Sequence, residues 1–278
     1  MSFPVAQLFL GLGTSLLAVA VLMAVSFAIG AATGKYSIID AVWGPGFVVI
    51  ALVSFLVSMG SGKYGDPTLR WIALVAVALW GLRLGGYILL RNHGLPEDPR
   101  YVKMLEGHSK LRIVGKVQVP QGLLMWFVSI PVQVAMLLKS PAHWLVWIGA
   151  VIWLIGIGFE SIGDAQLAKF KSDPAHKGQL MKYGLWRFTR HPNYFGDSAV
   201  WWGLFVMVAW TWIGWLTILS PVVMTYLLVA KSGKALTEKR MAKSKPGYAE
   251  YVATTSGFFP LPPKKSSAEK SENGTVNA

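Results

Sequence analysis

At 278 residues the chain is 54% hydrophobic and only 14% charged, which is too apolar for an ordinary soluble domain. It has no cysteine, which excludes disulfides, thiolate nucleophiles and cysteine-ligated metals. Its formal net charge of +13 indicates either an acidic partner or a membrane protein with basic loops, and the positions of the charges decide between the two. The composition predicts an integral membrane protein.

Seven apolar segments have about the length that a helix needs to cross a bilayer, roughly 17 to 25 residues. They lie at about 4–32, 41–60, 70–90, 121–138, 143–163, 197–212 and 214–230. The first follows no basic stretch, so we interpret it as a retained span and not as a cleaved signal. The last two are slightly short and share only a turn, which favours a tight helical hairpin. The predicted fold is therefore all-α, with about seven transmembrane helices in one domain at 1–262 and a disordered polar tail at 263–278.

The basic residues lie almost entirely on one side of these spans. Of the 26 Lys and Arg, 22 lie on the side of the C-terminus, three lie on the opposite side, and Arg83 lies within the third span. Because basic loops stay in the cytoplasm, this asymmetry predicts an outside N-terminus and a cytoplasmic C-terminus, as in a multi-pass protein of the bacterial inner membrane. The net charge then fits topology and attraction to anionic lipids, and nucleic acid is not an expected partner.

The fifth span ends in a polar pattern, within GIGFESIGDAQLAKFK. Glu160 and Asp164 are one helical turn apart, and Lys169 and Lys171 follow them. Two carboxylates this close repel each other unless another group shares their field. A ligand with hydroxyls for the carboxylates and phosphates for the lysines fits this pattern. The alternative is pairing within the protein, for instance of Asp164 with Lys171 or Arg190.

The segment LWRFTRHPNYFGD at 185–197 places charge between two apolar spans. Pro192 suits the first turn of a helix, which puts Asn193 and Asp197 one turn apart on one face of the sixth span. An ionisable group such as Asp197 inside a span needs an interior partner.

Three basic residues, Arg187, Arg190 and His191, immediately precede that helix start. Free backbone amides and the helix dipole already favour an anion there. We interpret the segment as a polar cradle, with cations for phosphate at the membrane edge and an amide and a carboxylate one turn deeper. The two arginines are equally well explained as anchors for lipid phosphates.

Several of these motifs resemble a known family. RHPNYFGD, the Trp-rich span after it and LTEKRMAKSKPGYAEYVATTSGFFPLPP resemble the C-terminal half of the steroid 5-alpha-reductase and sterol-reductase superfamily. DAVWGPGF at 40–47 and LRLGGYILLRNHGLPEDPRY at 82–101 resemble a bacterial branch catalogued as domain of unknown function 1295. The resemblance covers most of residues 35–262. A shorter R-H-P-x-Y element also occurs in isoprenylcysteine-type membrane methyltransferases.

The resemblance implies a multi-span fold that encloses NADPH, mainly within 143–262, and passes hydride to an activated carbon–carbon double bond of a lipid-soluble substrate. By position, Asn193 and Asp197 would bind the nicotinamide end, Asp164 the ribose or adenine region, and Lys171 with neighbouring basic residues the phosphates. Because they lie near helix ends, Arg190 and Lys171 are the residues expected to meet the 2′-phosphate. Glu160 stands where steroid reductases carry an asparagine. The complete set of implied cofactor ligands is Glu160, Asp164, Lys171, Arg190, His191, Asn193, Asp197, Glu238, Arg240 and Tyr251.

The candidate proton donors come from the N-terminal half, where the Gln, Glu and Tyr of steroid reductases are not recognisable. Hydride addition builds charge on an acceptor oxygen, which needs a hydrogen-bond donor or a cation aimed at it. Arg83 and Tyr87, one turn apart in the third span, are predicted to supply it, with Asp40 orienting them. The equally weighted alternative is a structural ion pair between Asp40 and Arg83.

No metal site is expected, because the five histidines are scattered without paired ligand spacing. The loop RNHGLPEDPRY at 91–101 is expected to fold over the cofactor opening. The favoured function is an NADPH-dependent membrane reductase, acting as a monomer on a lipid-soluble small molecule. The alternatives are a SAM-dependent methyltransferase of a membrane lipid and a non-enzymatic lipid-binding or transport protein.

The charge asymmetry predicts the outcome of reporter fusions. A fluorescent protein fused to the C-terminus should fluoresce, and alkaline phosphatase fused at the same point should be inactive, because both report a cytoplasmic location. A dark fluorescent fusion together with an active phosphatase would contradict the predicted orientation.

Overall fold

The computed structural model describes residues 3–60, 64–107, 109–139, 143–231 and 233–264. Of the predicted disordered tail, everything from residue 265 onward lies outside the described residues. The described chain is helical, and its β structure is one isolated bridge between Thr189 and Ser256. The prediction of an all-α fold is confirmed.

Thirteen α-helices are numbered here in chain order within the described residues. They are α1 Val5–Thr33, α2 Ile38–Gly60, α3 Pro67–Asn92, α4 Pro99–Leu105, α5 Leu111–Ile113, α6 Val119–Val128, α7 Ile130–Ala135, α8 Trp144–Ser172, α9 Pro192–Val206, α10 Trp212–Trp215, α11 Leu219–Tyr226, α12 Lys234–Ser244 and α13 Tyr248–Thr254. Short π-helical segments, Val114–Gln118 and Leu227–Lys231, precede α6 and α12.

Five helical segments of the described chain are long and apolar enough to cross a membrane: α1, α2, α3, α8 and the composite segment Trp212–Ser244. They correspond to the first, second, third, fifth and seventh predicted spans. The fourth is divided into α6 and α7 at Ser129, because Pro131 lacks the amide that a continuous helix needs. The sixth begins at Pro192 as predicted, although α9 has only 15 residues. The count of seven spans and their orientation stay predictions.

The chain divides into two compact units. The first comprises Met1–Gly149 and Leu204–Ser220, and the second comprises Ala150–Gly203 and Pro221–Ala278. The predicted proton donors belong to the first unit, and the predicted cofactor ligands belong to the second. A single domain at 1–262 stays a prediction.

In the first unit, α2 and α3 pack with their backbones in contact. A Cβ atom built on Gly44 would lie 2.2 Å from the carbonyl oxygen of Gly81, and one built on Gly81 would lie 2.4 Å from the oxygen of Gly44. Small residues permit this approach between membrane helices. Beside the contact, Phe47 and Trp80 meet edge to face at 5.4 Å, both fully buried. The contact therefore fixes the position of the helix that carries Arg83 and Tyr87.

The helix α1 is held to the rest of the first unit by buried polar pairs. The Ser15 hydroxyl donates to Gln133 Oε1 at 2.9 Å, and the Ser26 hydroxyl donates to Gln118 Oε1 at 3.0 Å. The indole of Trp126 also donates to the carbonyl oxygen of Leu12. Since apolar contact distinguishes poorly between neighbouring helices in lipid, such pairs help to fix the register of α1.

The α2–α3 contact predicts different effects for two glycines of α3. Gly81→Ala should lower the melting temperature, because overpacking against the backbone of Gly44 costs about 1–3 kcal/mol. Gly86→Ala should leave it unchanged or raise it, since a Cβ there would meet nothing within 4 Å and alanine favours helix. Thermal unfolding of the two purified variants tests this. Equal melting of both would show that the contact does not limit stability.

Candidate functional site

The second unit is built around a close crossing of α8 and α9. A Cβ atom on Gly196 would lie 2.5 Å from both the amide nitrogen of Glu160 and the carbonyl oxygen of Gly156. A Cβ on Gly156 would lie 2.6 Å from the amide nitrogen of Val200. Any larger residue at either glycine would push the helices apart. The polar residues one turn away on each helix are thereby brought into the same interface.

Four polar residues, Glu160, Asp164, Asn193 and Asp197, form what we term the carboxylate cluster. The exposed fractions of Glu160, Asp164 and Asp197 are 2%, 4% and 8%. Asn193 Nδ2 donates to Asp164 Oδ1 at 3.2 Å, so the structure brings these two predicted ligands together. Three buried carboxylates in one helix interface are costly, and groups of this kind in membrane proteins usually serve binding or proton transfer.

Arg190 lies just before α9 and connects it to the C-terminal helices. Its Nε and Nη2 reach Glu238 Oε1 at 2.9 and 2.8 Å, and its Nη1 donates to the carbonyl oxygens of Val252 and Thr255. The side chain is only 8% exposed. Every guanidinium nitrogen therefore has an acceptor within the protein. The partner of Arg190 is thus Glu238, and not Asp164 as the alternative pairing proposed.

His191 shares the same carboxylate. Its Nε2 lies 3.2 Å from Glu238 Oε1, and its ring stacks on Tyr194 with 5.2 Å between the centroids. Burial lowers the pKa of His191 to about 4, with Arg190 and Lys234 adding to the effect and Glu238 opposing it. The ring is therefore neutral near pH 7, so it donates to Glu238 through Nε2 and retains Nδ1 as an acceptor.

Tyr251 holds the chain that leads into α9. Its hydroxyl donates to the carbonyl oxygen of Trp186, whose indole in turn donates to Gly163 O on α8 at 3.0 Å. Tyr251 is 5% exposed, and burial raises the pKa of its phenol. Tyr251, one of the implied cofactor ligands, thus links α13, the 3₁₀ turn Gly184–Arg187 and α8, and its phenol stays protonated at neutral pH.

The remaining predicted cations lie at the surface. Lys171, in the last turn of α8, is exposed, and so is Arg240 on α12. Their exposure suits contact with a phosphate. Lys234 was not among the predicted ligands, yet a Cβ on Gly257 would lie 2.9 Å from its Nζ and 3.1 Å from Arg190 Nη2. Only the folding of α12 beside Gly257 brings this lysine close to Arg190, and no motif in the sequence marks it.

In the first unit, the structure corrects the expected partner of Asp40. Its carboxylate contacts Arg100 Nη2 at 2.8 Å and accepts a hydrogen bond from the Tyr101 hydroxyl at 2.9 Å. Both partners come from α4, and the sequence analysis assigned neither of them a role. Arg83 and Tyr87 lie one turn apart on α3, both half-buried. The expectation that Asp40 orients them, or pairs with Arg83, is replaced by a contact between α2 and α4.

The loop at 91–101 packs against the start of α2. The carboxylate of Glu97 accepts from the backbone amides of Tyr36 and Ser37, and Lys35 Nζ donates to Leu95 O at 2.8 Å. Glu97 thus satisfies amides that α2 leaves unbonded at its N-terminus. Across the described residues, no group of three or more His, Asp or Glu side chains is placed to hold a metal ion.

The sequence model of the family described as "Protein of unknown function (DUF1295)" matches residues 26–255. The chain belongs to this family. The identification made from DAVWGPGF and LRLGGYILLRNHGLPEDPRY is confirmed, and the link to steroid reductases stays a prediction. The matched region contains the carboxylate cluster and extends to Thr255, which binds Arg190. Neither the comparison with curated proteins nor that with solved structures finds a match.

Burial of His191 predicts a pH dependence of stability. The unfolded chain protonates this ring near pH 6.5 and the folded chain only near pH 4, so the unfolded state binds more protons between these values. Stability should therefore fall as the pH drops from about 6.5 to 4, and His191 should contribute no pH dependence above that window. His191→Gln should flatten this part of a melting-temperature profile. Parallel profiles for wild type and His191→Gln would contradict the prediction.

Proposed function

We propose that the chain is an NADPH-dependent membrane reductase of an activated carbon–carbon double bond in a lipid-soluble substrate. The observation that carries the proposal is the carboxylate cluster, buried where α8 and α9 cross and followed in sequence by exposed cations. A structural role alone gives little reason to bury three carboxylates in one interface of an apolar protein. A ligand that is rich in hydrogen-bond donors and also carries phosphates gives such a reason.

The chemistry of the cluster fits the nucleoside and nicotinamide parts of NADPH. Ribose hydroxyls and the carboxamide nitrogen are donors, and carboxylates are acceptors with several lone pairs each. Asn193 has both a donor and an acceptor, as a carboxamide has. We therefore retain Asn193 and Asp197 as proposed ligands of the nicotinamide end, and Glu160 and Asp164 as proposed ligands of ribose hydroxyls.

The phosphates would lie with the cations and the helix start. The N-terminus of α9 offers a dipole that favours an anion. Lys171 is exposed, whereas Arg190 is buried, so we assign direct phosphate contact first to Lys171. Arg190 then contributes its charge while it positions Glu238 and His191.

When bound, NADPH supplies a hydride. The protein must orient the cofactor and place a donor at the oxygen on which charge develops. Arg83 and Tyr87 stay the proposed donors, since a guanidinium and a phenol both stabilise an oxyanion. Asp40, held by Arg100 and Tyr101, is assigned instead to the packing of α4 on α2.

A methyltransferase is the second candidate, and the R-H-P-x-Y element favours it. The cations before α9 suit the carboxylate of SAM as well as a phosphate, and carboxylates suit its ribose. A non-enzymatic lipid-binding protein is the third candidate. The three functions differ in which cofactor binds and whether it is consumed.

Removing one buried charge should weaken NADPH binding. The 13 tryptophans permit energy transfer to bound NADPH, which measures affinity directly. Asp197→Asn keeps the shape of the side chain but loses charge-assisted hydrogen bonds, so affinity should fall roughly tenfold to a hundredfold. The control is Asp173→Asn, since the Asp173 side chain is 50% exposed in a surface turn, and its affinity should match that of wild type. Equal affinity of wild type and a well-folded Asp197→Asn would refute the assignment.

Two further measurements separate the alternatives. Calorimetry that detects SAM but not NADPH would establish a methyltransferase. NADPH that binds but is never oxidised, whatever membrane-lipid extract is added, would indicate a protein that uses the site without catalysis. Oxidation of NADPH that depends on added lipid supports the reductase.

A further inference from the structure

The first unit contains a cavity of about 360 Å³ between α1 and residues 114–123. Its volume falls in the range of ligand pockets, roughly 300–1,000 Å³. Among its lining residues Gln118 is the only one with a polar side chain, and none is charged. The cavity therefore suits a neutral, largely apolar molecule with one polar group.

The side-chain amide of Gln118 has an unpaired hydrogen-bond donor. Its side chain is 3% exposed, and its Oε1 accepts from the Ser26 hydroxyl at 3.0 Å, but its Nε2 is buried without a hydrogen-bond partner. Buried amide donors are nearly always paired, because leaving one unpaired is costly. An acceptor atom supplied by a molecule in the cavity would satisfy it.

A second glutamine shows that the fold can complete such a pair. Gln133 also accepts from a serine of α1, Ser15, at 2.9 Å, and its Nε2 donates to the Ser129 hydroxyl at 3.0 Å. Both glutamines are therefore bound to α1 through Oε1, but only the Nε2 of Gln133 has a partner in the protein. The two pairs differ in that Gln133 has Ser129 four residues before it, whereas Gln118 has Val114 there, which has no side-chain acceptor.

The backbone around Gln118 is also unusual. Gln118 ends the π-helical segment Val114–Gln118, and π-helical turns occur frequently at functional sites. One turn later, Gly122 packs so closely against α1 that a Cβ on it would lie 3.0 Å from Met23 Cγ. The π-helical segment thus ends next to the close contact between α1 and α6. Gln118 lines the cavity beside this contact.

The cavity has an apolar, exposed opening. Its rim includes Leu16, Val119 and Leu123, whose side chains are 37%, 50% and 50% exposed. Ala20 and Ala24 on α1 are exposed and leave room between these larger side chains. Because α1 has the length and composition of a membrane span, a molecule reaches this opening from the bilayer.

We propose that the cavity binds a neutral long-chain lipid whose carbonyl oxygen accepts a hydrogen bond from Gln118 Nε2. A carbonyl oxygen provides the acceptor that the amide lacks, and the uncharged apolar wall accommodates the chain but no charged headgroup. Dissolved ketones and esters of the bilayer have this chemistry. The site belongs entirely to the first unit and is independent of the proposed NADPH site.

Equilibrium binding in nanodiscs tests the site with two radiolabelled probes, a long-chain ketone and the alkane of equal carbon number, in the absence of NADPH. Wild type should bind the ketone roughly three- to tenfold more tightly than the alkane, as expected for one hydrogen bond. Ala24→Phe should abolish saturable binding of both probes by filling the opening. Ala28→Phe, at an exposed position of α1 outside the lining, should not.

The hydrogen bond itself is tested by a matched pair of variants. Gln118→Met should lose the preference for the ketone, and Gln133→Met should keep it. Both variants are expected to fold, since the Ser26 and Ser15 hydroxyls still reach the carbonyl oxygens of Met23 and Leu12 on α1. Equal binding of ketone and alkane by wild type, or a preference that survives in Gln118→Met, would overturn the proposal. Neither result would bear on NADPH binding, which is measured separately.

Discussion

The candidate cofactor site depends on the backbone contact between Gly156 of α8 and Gly196 of α9. Neither position has room for a Cβ atom, so the backbones of the two helices are in direct contact where they cross. That crossing brings Asp164 to the amide of Asn193 and buries the carboxylates on either side of it. In an apolar protein, charges that are buried in this way need compensation from neighbouring groups.

The second unit holds its buried charged residues in two groups. One is the carboxylate cluster between α8 and α9, and the other is the group around Glu238, which receives Arg190 and His191 from the segment before α9. Arg190 is also fixed by two carbonyl oxygens at the end of α13, so the C-terminal helices hold the helix start in position. A rigid helix N-terminus lined by neutral and charged nitrogen groups is well suited to an anionic ligand.

The helices of the first unit are held together mainly by uncharged groups. Its helices meet through glycine contacts and through serine–glutamine pairs, and the pair of Ser26 and Gln118 borders a cavity that the pair of Ser15 and Gln133 does not. Buried amides that are fully paired give a helix its register. A buried amide that keeps an unpaired donor beside a cavity, as Gln118 does, can still bind a ligand there. The two glutamines differ in this respect by a single hydrogen bond.

The sequence by itself determined the membrane class, the all-helical fold, the family and the start of α9 at Pro192, because composition, apolar length and proline geometry are local properties. It also placed Glu160 with Asp164, and Asn193 with Asp197, on single helix faces, since a separation of four residues is one turn. Partners from distant parts of the chain could not be predicted in this way. Only the tertiary structure paired Arg190 with Glu238, because α12 packs against the segment before α9.

The same limit explains the correction at Asp40 and the division of the fourth span. Asp40 and Arg83 lie in neighbouring predicted spans, but α4 supplies Arg100 and Tyr101 as the contacts of the Asp40 carboxylate. The fourth apolar segment is long enough to cross a membrane, yet Pro131 divides it, and hydropathy does not register a missing amide. Apolar length is a sum over residues, whereas pairing and continuity depend on which atoms the folded chain brings together.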